Sequence, residues 1–269
     1  MLLTFACAIG SVAQHFHLNV GAQSRAQDSP LFFQNAGAFA TNSGFVMPMP
    51  FNTSGNYAGH FATASLTPTA IGTGFFDAPA PGTQARLRFV SVSGPAGGSF
   101  NVWDVPGFND EEEPATAITF SVPVGTTGGV QSVLLSQNNA EPGADPFGHI
   151  HGRAFSASKP GLYIVSVQAY DASANGTTNG PIHAPSTVLP VYFQAGITIS
   201  GLAKSTAQTD ITFASRAGSS YYVQATETVE ASSSWQDIAG PFTGNVLQTA
   251  TEPNTNTAAR FYRLRVTTP

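Results

Sequence analysis

Charge, cysteine and long apolar runs are all scarce in this chain of 269 residues. Ten Lys and Arg residues stand against fifteen Asp and Glu, which gives a formal net charge of −5. The basic residues are scattered, and nucleic-acid binding needs clustered cations, so a nucleic-acid partner is not expected. No apolar run is long enough to predict a membrane-spanning segment.

Glycine, proline and phenylalanine are abundant instead. The chain has 27 Gly, 19 Pro and 20 Phe, and 42% of it is hydrophobic, which is too apolar for a disordered protein. Glu, Lys and Leu, which favour long helices, are few, whereas Thr, Ser and Val are common. The composition therefore predicts an all-β fold.

The first thirteen residues (MLLTFACAIGSVA) form an apolar run with the length of a secretory signal peptide. The small residues Ser11 and Ala13 suit cleavage after position 13. The run lacks a positively charged start, which suggests a true start upstream, and a buried first strand is the alternative. Cleavage would remove Cys7, the only cysteine. We therefore expect a secreted or cell-surface product without disulfides.

Charge and histidine content divide the remaining chain near residue 195. Residues 1–195 hold all six histidines with five basic and ten acidic residues, whereas residues 196–269 hold five of each sign and no histidine. This break predicts a histidine-bearing β-sandwich over residues 14–195 and a small C-terminal β-sandwich over residues 196–269.

Short apolar or alternating runs between turn signals predict the strands. In the first domain they cover residues 16–20, 86–92, 100–103, 117–122, 161–169 and 188–193. In the second they cover residues 197–199, 210–213, 221–225, 235–238, 246–250 and 260–266. The aromatic core candidates of the second domain are Phe213, Tyr222, Trp235 and Phe261.

The C-terminal region also carries a resemblance. Residues 221–229 (YYVQATETV), Ser234-Trp235 and residues 260–265 (RFYRLR) resemble the small C-terminal β-sandwich of secreted proteins from Verrucomicrobia-type bacteria. The resemblance implies an immunoglobulin- or fibronectin-like module for surface attachment or interaction, without catalytic residues.

Four of the six histidines form two H-x-H pairs, His15 with His17 and His149 with His151. On a strand, residues i and i+2 share a face, so each pair presents two imidazoles together. The residue between them, Phe16 or Ile150, is then directed into the core. Two such pairs on neighbouring strands would supply four nitrogen ligands to a tetrahedral Zn²⁺, with Cu²⁺ as the alternative.

The other two histidines stand alone. His183 is a candidate alternative fourth ligand, or a fifth, because imidazole suits the same metals. His60 is expected to be a hydrogen-bonded or exposed histidine rather than a ligand.

The second histidine pair carries a further resemblance. Residues 148–155 (GHIHGRAF) and 159–169 (KPGLYIVSVQA) resemble an H-x-H and K-P-G-x-Y signature of bacterial surface-anchored proteins. These include actinobacterial wall proteins and secreted cyanobacterial proteins under zinc-uptake-repressor control. Residues 15–22 (HFHLNVGA) resemble the histidine-containing first strand of that group. The resemblance implies a β-sandwich that binds zinc or a similar metal outside the cytoplasm.

Enzyme motifs are few, since the chain has no H-E-x-x-H, no G-x-S-x-G and no phosphate-binding glycine loop. We therefore expect a secreted or cell-surface zinc-binding protein for metal capture or structural stabilisation. Its partners would be the metal ion and components of the cell surface or extracellular matrix. Two alternatives stay open: an extracellular metalloenzyme, hydrolytic with zinc or oxidative with copper, and a structural surface or filament subunit. A coordination position left open to water would separate the enzyme from the others.

Overall fold

Nearly all of the regular secondary structure in the described residues is β-strand, as the composition predicts. The computed structural model describes residues 16–39, 46–72, 75–104, 115–135, 153–215, 219–230, 233–243, 246–254 and 259–267. Helical structure in these ranges is limited to α1 (Ala36–Phe39) and a 3₁₀ turn at Thr177–Asn179. Neither is long or apolar enough to cross a bilayer.

In the described ranges, twelve strands lie before residue 196. They are β1 (Phe16–Ala22), β2 (Leu31–Phe33), β3 (Met47–Met49), β4 (Phe61–Thr63), β5 (Leu66–Ala70), β6 (Ala85–Ser93), β7 (Ser99–Trp103), β8 (Phe120–Pro123), β9 (Ser132–Leu134), β10 (Ala154–Ala157), β11 (Gly161–Asp171) and β12 (Leu189–Ala195). They form three sheets with the orders β2-β1-β5, β4-β10-β7-β8 and β3-β12-β11-β6-β9. The pairs β1 with β5 and β3 with β12 are parallel, and the other pairs in these sheets are antiparallel.

One apolar cluster joins these three sheets. The ring of Phe100 in β7 lies 5.7 Å from that of Phe155 in β10 and 4.8 Å from that of Phe193 in β12. Phe89 of β6 lies 6.2 Å from the ring of Phe100, and Leu18 of the first sheet belongs to the same cluster. Aromatic contacts at these separations contribute about 0.5–1.5 kcal/mol each beyond burial, so the rings help to hold the second and third sheets face to face.

Six further strands follow residue 196. They are β13 (Ile199–Lys204), β14 (Gln208–Ser215), β15 (Ser220–Thr226), β16 (Gln236–Phe242), β17 (Val246–Pro253) and β18 (Phe261–Thr267). They form two antiparallel sheets, β13-β14-β17 and β16-β15-β18. A second, smaller apolar cluster lies between them and includes Ile211, Phe213 and Val223. Independent folding of residues 196–269 stays a prediction.

Every predicted strand overlaps an observed one. The strand predicted over residues 197–199 shares only Ile199 with β13, which begins at that residue and continues to Lys204. Six short strands are not predicted, namely β2, β3, β4, β5, β9 and β10. Most of them are three or four residues long, and so brief a segment carries too little alternation to be recognised.

The predicted aromatic core of the C-terminal region is correct for Phe213 and wrong for Tyr222. Phe213 is fully buried, and Tyr221, rather than its neighbour, packs beside it. Tyr222 points to the opposite face, where the guanidinium of Arg265 lies 3.9 Å from the centre of its ring. Successive residues of a strand alternate between faces, and the sequence Tyr-Tyr does not show which one is inside.

The other two core candidates also lie outside the core. The guanidinium of Arg263 covers the ring of Trp235 at 4.3 Å, so this indole lies on a polar surface rather than in the core. Phe261 is exposed, whereas its neighbour Tyr262 packs against the apolar cluster. The prediction for Phe261 was therefore wrong about which side of β18 faces the core, and Trp235 lies outside the strands, one residue before β16.

Candidate functional site

Of the five predicted metal ligands, the structure describes His17 and His183. His17 lies in β1 opposite Thr67 of β5, and it is half-buried. The other three, His15, His149 and His151, lie outside the described residues, so the site made of two histidine pairs stays a prediction. Within the described ranges, no group of three or more His, Cys, Asp or Glu is placed to hold a metal ion.

The residue between the first two histidines does not reach the core. Phe16 lies on the same face of β1 as Leu18 and Val20, which are both buried, yet 41% of Phe16 is exposed. It is the first residue of β1. The predicted burial of Phe16 is therefore wrong, although the alternation of β1 still places His17 on the opposite face.

The starts of β1 and β10 lie beside one connection of the chain. The amide of Phe16 donates to the carbonyl of Ser65 at 2.7 Å, immediately before β5 begins at Leu66. On the other side, Phe155 of β10 pairs with Thr63, the last residue of β4. Thr63 and Ser65 are two residues apart, which is about 7 Å along an extended chain. The segments that precede β1 and β10 therefore join the described structure at neighbouring points.

A buried arginine fixes the start of β10. Nε of Arg153 donates to Oδ1 of Asp104 at 3.0 Å, and Nη2 donates to the carbonyl of Leu134 at 3.0 Å. The arginine side chain is almost fully buried, and its Nη1 has no hydrogen-bond partner within the described part of the chain. Removing one partner of a buried ion pair costs about 3–5 kcal/mol. Arg153 thus ties β10 to the ends of β7 and β9, two residues after His151 in the sequence.

His183 is engaged by the backbone on both sides of its ring. The amide of Ala80 donates to Nε2 at 2.9 Å, which requires Nε2 to be unprotonated. Nδ1 therefore carries the proton and donates to the carbonyl of Ser29 at 2.9 Å. Because His183 is buried, binding a metal through either nitrogen would leave one of these backbone groups without a partner.

The fold also separates His183 from His17. His183 lies beside Ser29, and the next residue, Ala184, accepts a hydrogen bond from the amide of Leu31. Leu31 pairs with Ala22, the last residue of β1, whereas His17 lies near the other end of that strand. Five residues of strand span about 17 Å, far more than two ligands of one ion allow. The structure therefore does not bring these two histidines together.

A buried carboxylate holds the segment that contains His183. Oδ1 of Asp171 accepts hydrogen bonds from the amides of Gln84 (3.0 Å) and Ser173 (2.8 Å). Oδ2 accepts hydrogen bonds from the amides of Ile182 (2.8 Å) and His183 (3.2 Å). Burial by itself would raise the pKa of Asp171, but the backbone hydrogen bonds outweigh it and hold the pKa below its usual value. The carboxylate thus joins the end of β11 to two separate loops.

His60 is half-buried and packs against an aromatic side chain, a contact that the sequence did not predict. Its ring lies 4.9 Å from the ring of Trp103, edge to face, and its carbonyl accepts a hydrogen bond from the amide of Asn52 at 2.9 Å. The ring of Tyr57 also meets that of Trp103 edge to face, at 5.2 Å. This aromatic group covers the end of β7.

Sequence reasoning missed a cavity of about 370 Å³ where the last strand of the first region meets the C-terminal sheets. Its walls from the first region include Pro48, Phe51, Phe61 and Gln194, and those from the C-terminal region include Ile197, Ser215, Ser219, Tyr221 and Val266. The sequence gives one signal for it, the polar Gln194 inside the otherwise apolar strand β12. Nothing in the sequence shows that residues so far apart share one surface.

Comparisons of the chain with models of protein families, with curated proteins and with solved structures found no match. A function for this chain is therefore proposed from the chemistry of its own residues.

Proposed function

We propose that the chain is an extracellular metal-binding β-protein whose ligands are His15, His17, His149 and His151, with zinc as the metal. The observation that carries the proposal is the common location of the starts of β1 and β10 beside residues 63–65. His15 immediately precedes β1, and His151 stands three residues before β10. A metal could therefore be bound by both pairs with little rearrangement of the sheets.

The chemistry of the four ligands favours binding over catalysis. Four imidazoles complete a tetrahedral zinc shell with Zn–N distances of about 2.0–2.1 Å, which leaves no position for water or substrate. His183 is not needed, and its two backbone hydrogen bonds argue against its taking part. Copper is the alternative metal, because imidazole also suits Cu²⁺. The proposed roles are metal capture and stabilisation of the first domain.

The proposed location outside the cytoplasm rests on the signal-like residues 1–13 and on the absence of cysteine after Cys7. The proposed contact with the cell surface or its matrix rests on the small β-rich C-terminal region, whose sequence resembles a surface-attachment or interaction module.

Elemental analysis of the untagged protein, purified without chelator, tests the metal site. We expect about one equivalent of zinc after dialysis against the metal, because two histidine pairs form one tetrahedral set. The double variant His149→Ala/His151→Ala should lose the metal, whereas the matched variant His60→Ala should keep it. Full retention in the double variant, or no metal in the parent protein, would refute the site.

A further inference from the structure

The cavity between the first region and the C-terminal sheets has the size of a small-molecule site. Its volume of about 370 Å³ falls at the lower end of the usual range, about 300–1,000 Å³. Residues before position 198 form one side, and Tyr221 of β15 and Val266 of β18 form part of the other. None of the described residues that line the cavity carries a charge. A charged ligand would therefore be desolvated there without compensation.

Rings form much of the wall. Phe51 and Phe61 meet edge to face with their centres 5.1 Å apart, and the pyrrolidine of Pro48 lies on the same side of the cavity. Phe51 is 53% exposed and Ile197 is 60% exposed. These are large apolar side chains that the fold leaves uncovered at one place. A flat apolar molecule would cover Phe51 and Ile197. Its ring could also pack against the rings of Phe51 and Phe61 in the edge-to-face or offset arrangements that aromatic pairs prefer.

One buried polar atom in this wall lacks a partner. Gln194 lies between Phe193 and Ala195 of β12, which face the main core, so its side chain is on the opposite face of that strand. Its Nε2 donates to the carbonyls of Ala195 and Gly196, both at 3.3 Å. Its Oε1 has no hydrogen-bond partner in the described structure, although only 5% of the residue is exposed.

The orientation of this amide follows from its neighbours. Exchanging oxygen and nitrogen would bring Oε1 against two carbonyl oxygens, so the nitrogen must point toward them. Oε1 is therefore a buried acceptor without a donor among the described residues, and one N–H or O–H group of a ligand would satisfy it once the side chain of Gln194 turns toward the cavity. A buried acceptor without a donor is costly, which makes this contact a determinant of specificity.

We propose that the cavity binds a small uncharged aromatic molecule with one hydrogen-bond donor, such as an aryl alcohol or arylamine. The aromatic part fills the space beside Phe51 and Phe61, and the donor reaches Oε1 of Gln194. His17, the member of the two histidine pairs that the structure describes, does not line the cavity, and we expect occupancy of the cavity to be independent of metal.

Calorimetric titration with 1-naphthol and with 1-methylnaphthalene tests this assignment, because the two molecules differ only in a hydroxyl and a methyl group. We expect 1-naphthol to bind about tenfold more tightly, as the loss of one buried hydrogen bond implies. In Gln194→Met this preference should disappear. Equal affinities in the parent protein, or no binding of either compound, would overturn the proposal. Binding of 1-methylnaphthalene alone would point to an apolar alkyl or aryl ligand without a donor and would also overturn it.

A matched pair of variants separates the cavity from the rest of the surface. Ile197→Trp should fill the cavity mouth and weaken 1-naphthol binding at least tenfold. Leu202→Trp introduces the same side chain at a position that is 59% exposed and does not line the cavity, so it should leave binding unchanged. Equal effects of the two variants would contradict the assignment. Titration in the presence of a chelator should give the same affinity, which distinguishes failure of this site from failure of the metal site.

Discussion

Replacing Asp171 by Asn removes one acceptor oxygen from a buried carboxylate that serves four backbone donors. In the parent protein each oxygen accepts two amides, from Gln84 and Ser173 on one side and from Ile182 and His183 on the other. The amide of Asn has one oxygen and one NH₂ group. Whichever way it turns, two backbone N–H groups then face a donor instead of an acceptor.

The number of backbone donors left unsatisfied sets the expected loss of stability. Leaving a buried donor unsatisfied costs about 1–3 kcal/mol, so two of them should cost about 2–6 kcal/mol. Relaxation of the two loops will recover part of this, and we expect a loss of about 3 kcal/mol in the free energy of unfolding. Domains are stable by only about 5–15 kcal/mol in total, so the change is large.

Urea denaturation followed by circular dichroism measures this change. Asp28→Asn is the matched control, because Asp28 is exposed and its φ of 64° is a conformation that Asn also tolerates. We expect the control to stay within about 0.5 kcal/mol of the parent protein. A loss below about 1 kcal/mol for Asp171→Asn, or equal losses for both variants, would refute the reasoning.

The same carboxylate sets a pH dependence. Its pKa is lower in the folded protein than the unfolded value of about 3.9, so the folded state favours the ionised form. The stability it contributes is present above that unfolded pKa and is lost as pH falls through the lower folded pKa. The difference in stability between the parent protein and Asp171→Asn should therefore shrink below about pH 4. A difference that stays constant from pH 7 to pH 3 would contradict this assignment.

Two further predictions concern His183 and the C-terminal region. His183→Ala should reduce the free energy of unfolding by about 2–4 kcal/mol, because it leaves the amide of Ala80 and the carbonyl of Ser29 unpaired, and it should not change the zinc content measured by elemental analysis. A fragment of residues 196–269 should unfold cooperatively in a thermal scan and show a β-type circular dichroism spectrum unaffected by zinc or chelator, since its apolar cluster is made of its own residues. A noncooperative transition would show that this region requires the first domain.

The strands beside the histidine pairs show what a local sequence pattern can predict and what it cannot. The pattern of alternating residues predicted a strand at residues 16–20, and β1 occupies that place. The pattern could not predict that β1 and β10 begin beside the same β4–β5 connection, because strand pairing between distant segments depends on the whole topology. His183 illustrates the converse case. Its chemistry suits a metal, but two backbone groups from distant loops occupy its nitrogens.

The sequence by itself determined the all-β class, the positions of the longer strands and the two H-x-H pairs, because composition and a period of two residues are local properties. Tertiary structure alone decided which aromatic of a neighbouring pair is buried, as with Tyr221 and Tyr222, because a shift of one residue exchanges the faces of a strand. It also decided that Gln194 lines a cavity together with Tyr221 and Val266. Residues so far apart meet only when separate sheets pack, and burial of apolar surface across those sheets, rather than any local preference, determines that packing.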